Sequence, residues 1–166
     1  MHSQPSGSLL CYIIAMKKES HTRDHRYEMP NVGCKLGAAY QRLLTELAGA
    51  LGNEKLPVTP AEYLVLRAVY SEDGMQQCEI AELIGKDKGT VCRTVASLER
   101  KGFVTTESVS HRCLRVYASE EGRRVEPRIM AVAGERHKAL ESLLTPLERE
   151  VFVSVLDKIL NKQGTL

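Results

Sequence analysis

The chain has 166 residues, a formal net charge of +2, 43% hydrophobic and 5% aromatic residues, and no Trp. That length suffices for one domain with a buried core, or one small domain with helical arms. The few aromatic rings argue against a single-strand platform that stacks bases, though not against duplex binding. No apolar run approaches the roughly 18 residues of a membrane span. The five cysteines, Cys11, Cys34, Cys78, Cys92 and Cys113, contain no C-x-x-C, so neither a zinc ribbon nor a thioredoxin-type site is signalled. An odd count without a secretory signal fits free thiols in a reducing cytoplasm.

Residues 1–33 read as an N-terminal extension whose polar composition permits disorder. Leu9 to Ala15 is apolar but short, and its cations Lys17 and Lys18 follow it, the wrong order for a signal peptide. Met16 or Met29 is an alternative biological start. His21 and His25 have the i, i+4 spacing of metal ligands on a helix, but no apolar face holds a helix there, so no metal site is assigned.

From residue 34 to about 52 the pattern is helical, with Leu36, Tyr40, Leu43, Leu47 and Leu51 on one stripe and Gly52-Asn53 as the stop. Thr59-Pro60-Ala61-Glu62 then has the composition of a helix start: an N-cap, a proline in the first turn and an acid at the third position. Val65, Leu66 and Val69 give its core face, and Glu72-Asp73-Gly74 closes it.

The stretch Glu79 to Arg115 organises the chain. Ile80, Leu83 and Ile84 mark one face of a short helix that Gly85 ends. Asp87 is placed to cap a second helix running to about Lys101, with Val91, Val95 and Leu98 buried and Gly102 as its stop. The side chains left outside are Lys88, Thr90, Arg93, Thr94 and Ser97, a short, polar, basic face with no acid. A helix-turn-helix needs such a face to reach base edges in a major groove. Phe103 to Thr106 and Leu114 to Tyr117 favour strands, and the segment between them makes a hairpin tip carrying a cation. A helix-turn-helix followed by such a hairpin is a winged helix.

Charge supports the same reading. From Lys86 to Arg115 seven cations face three acids, a net +4, so the rest of the chain carries −2. A basic segment on a slightly acidic body is the footprint of phosphate contact. The plainer alternative is a solvated surface face. Lys86 and Lys88 suit phosphate. Arg93 suits a guanine edge or, equally, a phosphate, and Thr90 and Thr94 suit thymine methyls or phosphates. Gln76 and Gln77, at the opening of the first helix of the pair, are either DNA-backbone donors or solvated helix starts.

Ser119 caps a long helix to about Leu144, with Val125, Ile129, Val132, Arg136, Leu140 and Leu143 on one stripe. Pro127 inside it should kink it or shift its start. Thr145-Pro146-Leu147-Glu148 repeats the earlier start and opens a last helix bearing Val151, Val155, Leu156, Ile159 and Leu160. The helices at the two ends are more apolar than one monomer needs, which predicts a homodimer whose two heads lie about one DNA turn apart on a palindromic operator.

These segments together resemble the MarR family of winged-helix transcriptional regulators over about Cys34 to Lys162. The carriers are Leu56-Pro57-Val58-Thr59-Pro60-Ala61-Glu62-Tyr63, Glu79-Ile80-Ala81-Glu82-Leu83-Ile84, Gly89-Thr90-Val91-Cys92-Arg93-Thr94-Val95, Leu98-Glu99-Arg100-Lys101-Gly102-Phe103-Val104 and Ala118-Ser119-Glu120-Glu121-Gly122. The resemblance implies a mainly α fold with a small β-hairpin wing: a winged helix-turn-helix core over about 58–118 inside a domain of 34–162, and dimerisation helices over about 34–52 and 120–162. It implies a homodimeric repressor of double-stranded DNA, released by a small aromatic or phenolic effector or by thiol oxidation. Where the family's wing carries Asp-Arg-Arg, this chain has Ser110-His111-Arg112 in a wing about two residues shorter. The minor-groove role passes to Arg112, with His111 beside it.

The DNA-contact set is therefore Lys86, Lys88, Thr90, Arg93, Thr94, Ser97, His111 and Arg112. No cofactor or metal is implied. For thiol sensing, Cys34 near the start of the first helix and Cys92 on the reading helix are the candidates, with a buried, inert Cys as the plainer reading of Cys34. No H-E-x-x-H, G-x-S-x-G, phosphate-cradling glycine loop or paired carboxylate array suggests an enzyme. A winged helix used only for protein contact is the remaining class, and its mark would be acids on the exposed face of the second helix.

Overall fold

A computed structural model describes residues 31–110 and 113–161. The elements in chain order are α1 (Val32–Asn53), α2 (Pro60–Ser71), β1 (Met75–Gln76), α3 (Gln77–Ile84), α4 (Lys88–Arg100), β2 (Val104–Ser110), β3 (Cys113–Ala118), α5 (Glu120–Glu141) and α6 (Pro146–Leu160). The chain divides into two units, 1–39 and 40–166. Of the first, the described part is the opening of α1, where the Asn31 side chain accepts from the Cys34 N–H at 2.8 Å and so caps the helix two residues before the predicted start.

The core belongs to the second unit. Leu47 and Leu51 of α1, Val65, Leu66 and Val69 of α2, Ile80 and Ala81 of α3, Val91, Val95 and Leu98 of α4, Val104, Val116 and Ile129 are buried. The predicted faces of α2 and α4 are thus the buried ones. On α3 the predicted Ile80 is buried and Ile84 packs against the core, but Leu83 does not. Leu83 is 60% exposed, and Ala81 takes its place beside Ile80. At about 100° per residue, positions 80, 81 and 84 share one arc of an eight-residue helix and position 83 falls to its side.

Three helix ends close alike. The N–H groups of Leu56, Lys86 and Phe103 each return 3.0 Å to the carbonyls of Leu51, Ala81 and Leu98, five residues back. The residue before each N–H is left-handed: Lys55, Gly85 and Gly102. This is the Schellman closure. Gly85 and Gly102 are legible as stops; α1 ends at Asn53, within the expected Gly52-Asn53 stop, but its left-handed turn falls on Lys55, whose φ is +53°. Leu56 and Phe103 are buried in the core beside Leu51 and Leu98, and Leu56 gives the reason the turn falls where it does.

The sheet has the order β1-β3-β2, antiparallel throughout. β2 pairs with β3 from Val104↔Ala118 to Ser110↔Cys113, with an irregularity between Ser108 and Ser110. The strands reach further toward the tip than composition predicts, because ladder pairing continues through polar residues. β1 pairs Met75 with Val116 and Gln76 with Arg115. A two-residue strand has no periodicity to read.

α5 begins at the predicted cap, with Ser119 Oγ accepting from the Gly122 N–H at 2.9 Å. It runs unbroken through Pro127, so the proline neither ends the helix nor shifts its start. Only its first half packs on the core, through Val125, Ile129, Val132 and Ala133; Leu143 of the predicted stripe is 76% exposed. α6 has the predicted Thr145–Glu148 capping box and buries no residue.

Gly122 is where α5 meets the base of the wing. A Cβ there would collide with the carbonyl oxygen of Phe103. The same carbonyl accepts from the Ser119 N–H at 3.1 Å, and the Gly122 carbonyl accepts from the Tyr70 hydroxyl at 2.9 Å. Burial pushes the Tyr70 phenol up to about 12, with Glu126 adding to the rise and Arg123 opposing it, so Tyr70 keeps the proton it donates. Gly122→Ala is expected to destabilise the fold by about 1–3 kcal/mol by overpacking. Gly134→Ala on the same helix meets no atom within 4 Å and should stabilise by up to about 1 kcal/mol. Urea midpoints of the two variants should therefore move in opposite directions.

Candidate nucleic-acid interface

The reading helix α4 is built from its cap. Asp87 Oδ1 accepts from the Thr90 N–H at 2.8 Å, and Oδ2 accepts from the Thr90 hydroxyl at 2.6 Å. The Thr90 oxygen in turn accepts from Arg93 Nη2 at 3.1 Å. Those two Thr90 bonds, the hydroxyl first and the N–H second, hold the Asp87 carboxyl below its ordinary range. Thr94 donates to the Thr90 carbonyl at 2.8 Å. Lys88, Cys92 and Arg93 are exposed, while Thr90, Thr94 and Ser97 are half-buried.

Ser97 departs from its expected place on the open face. Its hydroxyl donates to Glu62 Oε1 at 2.9 Å. Glu62 is the third residue of α2 and is only 4% exposed. Its other oxygen accepts from the Thr59 N–H at 2.8 Å, the Thr59 hydroxyl at 3.1 Å and the Lys101 ammonium at 2.7 Å. Lys101 also donates to the Pro57 carbonyl at 2.8 Å. Burial alone would raise the Glu62 pKa. The bond from Lys101 and those from the Thr59 N–H, Ser97 and Thr59 outweigh it and hold the carboxyl below its ordinary value. Sequence reading found the capping box but not its second use, because Ser97 and Lys101 lie 35 and 39 residues away.

This ordering thins the basic patch. Lys101 is tied to Glu62, and Arg115 donates to the Gly74 carbonyl at 2.8 Å, bracing β3. Among the described residues of the Lys86–Arg115 segment, the exposed cations not so tied are Lys86, Lys88, Arg93 and Arg100. The Lys86 ammonium lies 6.0 Å from the centre of the Tyr40 ring. No acid interrupts the exposed face from Lys88 to Ala96. A shallow cleft of about 260 Å³ lies between α2 and α4, lined by Thr59, Ala61, Glu62, Thr90, Arg93, Thr94 and Ser97. His111 and Arg112 lie outside the described residues. Gln76 opens α3, its N–H donating to Glu79 at 2.8 Å, and Gln76 and Gln77 are half-buried. Cys34 and Cys92 are exposed free thiols, so Cys34 is not the buried cysteine expected: it lies in the first turn of α1, ahead of the core residues Leu47 and Leu51.

An α3–turn–α4 pair with a paired hairpin behind it is a winged helix-turn-helix, and residues 56–112 match the model of the MarR family. The match covers both helices of the pair and most of the wing. The transcriptional regulator HosA of Escherichia coli O157:H7 is 25% identical over 123 residues, spanning 72% of this chain and 91% of HosA. BpsR of Bordetella bronchiseptica, from work on regulation of its DNA binding by 6-hydroxynicotinic acid, superposes with a TM-score of 0.72 at 21% identity, over 82% of this chain and 98% of BpsR. MepR of S. aureus, in a complex with DNA, gives 0.72 at 20% identity over 78% and 96%. The winged head is thus similar to that of MarR-family transcriptional regulators, and the chain shares the fold of BpsR and MepR. Among the described residues no helix is long and apolar enough to cross a membrane.

The Glu62 contribution to stability has a definite sign with pH. Its folded pKa lies below the ordinary value of 4.5, so the contribution is complete above that pH and is lost as pH falls through the lower, folded value. Glu62→Ala leaves Lys101 and Ser97 without their acceptor and is expected to cost about 2–3 kcal/mol at neutral pH. Acid titration of the unfolding free energy should show the gap between wild type and variant closing below pH 4.5.

Proposed function

We propose that this chain is a MarR-family regulator, a homodimeric, sequence-specific repressor whose α4 helices read two half-sites of a palindromic operator. The observation that carries this reading is the pairing of an exposed stretch of α4 with no acid from Lys88 to Ala96 and a helix, α6, that buries none of its residues. In α6, Leu147, Val151, Phe152, Val153, Val155 and Leu160 are each at least 41% exposed. Tyr40 and Leu43 of α1 are 40% and 38% exposed. Apolar helices at this exposure are what an obligate dimer covers. The DNA head is proposed at about 58–118, and the dimerisation helices at about 34–52 and 120–162.

In this reading Arg93 meets a base edge, Lys86 and Lys88 hold phosphates, and Thr90 and Thr94 pack at the groove. Ser97 contributes through its hold on Glu62. Arg112, with His111, is assigned to the minor groove. Release by a small aromatic acid is proposed because the similarly folded BpsR has its DNA binding regulated by 6-hydroxynicotinic acid. The exposure of Cys92 next to Arg93 on α4 keeps thiol oxidation as a second route, since an oxidised sulfur there would alter the reading face.

Sedimentation of the full chain should give a dimer, and Val151→Glu should shift it to monomer. Anisotropy with the duplex upstream of its own gene, against a scrambled duplex across a salt series, should show tighter binding to the promoter and steep salt dependence for both. Arg93→Ala should lose discrimination by about 1–3 kcal/mol, whereas Lys88→Ala should weaken both duplexes evenly and flatten the salt slope. Absence of binding to either duplex at low salt would sink the DNA reading and leave a winged helix for protein contact.

A further inference from the structure

The cap of α4 does more than end a helix. The Thr90 hydroxyl carries one hydrogen, and that hydrogen is directed at Asp87 Oδ2, 2.6 Å away. The oxygen is left as a pure acceptor, and Arg93 Nη2 donates to it at 3.1 Å. The order of donors and acceptors therefore runs one way, from guanidinium to hydroxyl to carboxylate. Residue 89 is a glycine, and a Cβ on it would lie 3.2 Å from Asp87 Oδ1 and 3.5 Å from Arg93 Nη1. The missing side chain leaves room for the guanidinium to fold back over the first turn. Arg93 is exposed, yet one edge of its fork is already committed. The other donors stay open, as a bidentate contact to a guanine requires.

We propose that Asp87 is a positioning residue for operator readout, holding Arg93 through Thr90 in the orientation that meets a base. This rests on Arg93 reading a base, as in the function above. A long, free arginine loses rotamer freedom when it docks, which costs roughly 0.5–1.5 kcal/mol per such side chain, or about two- to tenfold in affinity. A guanidinium held beforehand has lost part of that freedom already. The saving applies only where Arg93 meets its cognate base, so Asp87 raises discrimination at one position while placing a negative charge beside the DNA that weakens binding to any sequence.

Asp87→Asn separates the cap from the relay. Asparagine caps helices as well as aspartate. To present its oxygen to the Thr90 N–H it must turn its amide toward the Thr90 hydroxyl, donating where the carboxylate accepted and competing with Arg93. Thr90→Val removes the hydroxyl and leaves the Asp87 cap to the backbone, while Thr90→Ser keeps the hydroxyl.

The test is selection of bound duplexes from a randomised library by the full-length chain, followed by anisotropy on the selected duplex and all its single-base variants. Arg93→Ala should abolish a guanine preference at one position per half-site, a loss of about five- to 150-fold. Asp87→Asn should lower the preference at that same position by about two- to tenfold, leave the other positions as they are and bind scrambled duplex more tightly. Thr90→Val should lower the preference at that position to the same extent, and Thr90→Ser, which keeps the hydroxyl, should retain it there. If Arg93→Ala removes the preference and the other two variants leave it intact, or blur every position equally, the relay is refuted and base reading by Arg93 stands. If Arg93→Ala changes no base preference, or no motif is selected, base reading by Arg93 fails and the relay with it.

Discussion

The winged head depends on one buried carboxylate. Glu62 closes the first turn of α2 and in the same act holds Ser97 and Lys101, one turn apart near the C-terminal end of α4. A lone carboxylate this deeply buried would be strongly unfavourable, so the site is stable only because both oxygens accept hydrogen bonds and one donor is charged. The reading helix is therefore anchored at both ends by acids. Asp87 grips its first turn and Glu62 its last, and the apolar stripe of Val91, Val95 and Leu98 fills the space between. Orientation of the exposed face follows from these three contacts and not from helix propensity.

What the sequence discloses is what local chemistry decides. Thr59-Pro60-Ala61-Glu62 and Thr145-Pro146-Leu147-Glu148 announce their helices because cap, proline and acid interact within one turn. Asp87, Gly85 and Gly102 are legible for the same reason. The parts that escape reading are long-range or two-sided. Ser97 has the composition of a base contact and faces Glu62 instead. Leu83 has the composition of a core residue and is displaced by the smaller Ala81. Lys55 adopts a glycine-like turn that Leu56, buried behind it, imposes. β1 is too short to show a period, and Arg115, counted among the phosphate cations, serves the Gly74 carbonyl. Charge counted along a segment thus overstates the charge a ligand meets, since Lys101 and Arg115 are turned to internal partners.

The distribution of burial divides the second unit into a finished part and an unfinished one. Around α2, α3, α4 and the sheet, the apolar residues expected inside are inside, Leu83 excepted. Along α6 and the second half of α5 they are not, although the caps and periodicity of these helices are regular. Regular local structure without a covering surface is what distinguishes an interface-forming helix from a poorly designed one.

The joint between α5 and the wing has a mechanical consequence. At Gly122 the helix touches the Phe103 backbone with no side chain between them, and Ser119 binds both the Gly102 and Phe103 carbonyls. The 22 residues of α5 make a rod about 33 Å long at about 1.5 Å per residue. Pivoted on so tight a bearing, a tilt of about 5° moves its far end by about 3 Å, on the order of half a helical turn. Read in the other direction, whatever clamps the distal end of α5 sets the angle of the reading head with the precision of a long lever, since about 3 Å of play there turns the head by only about 5°.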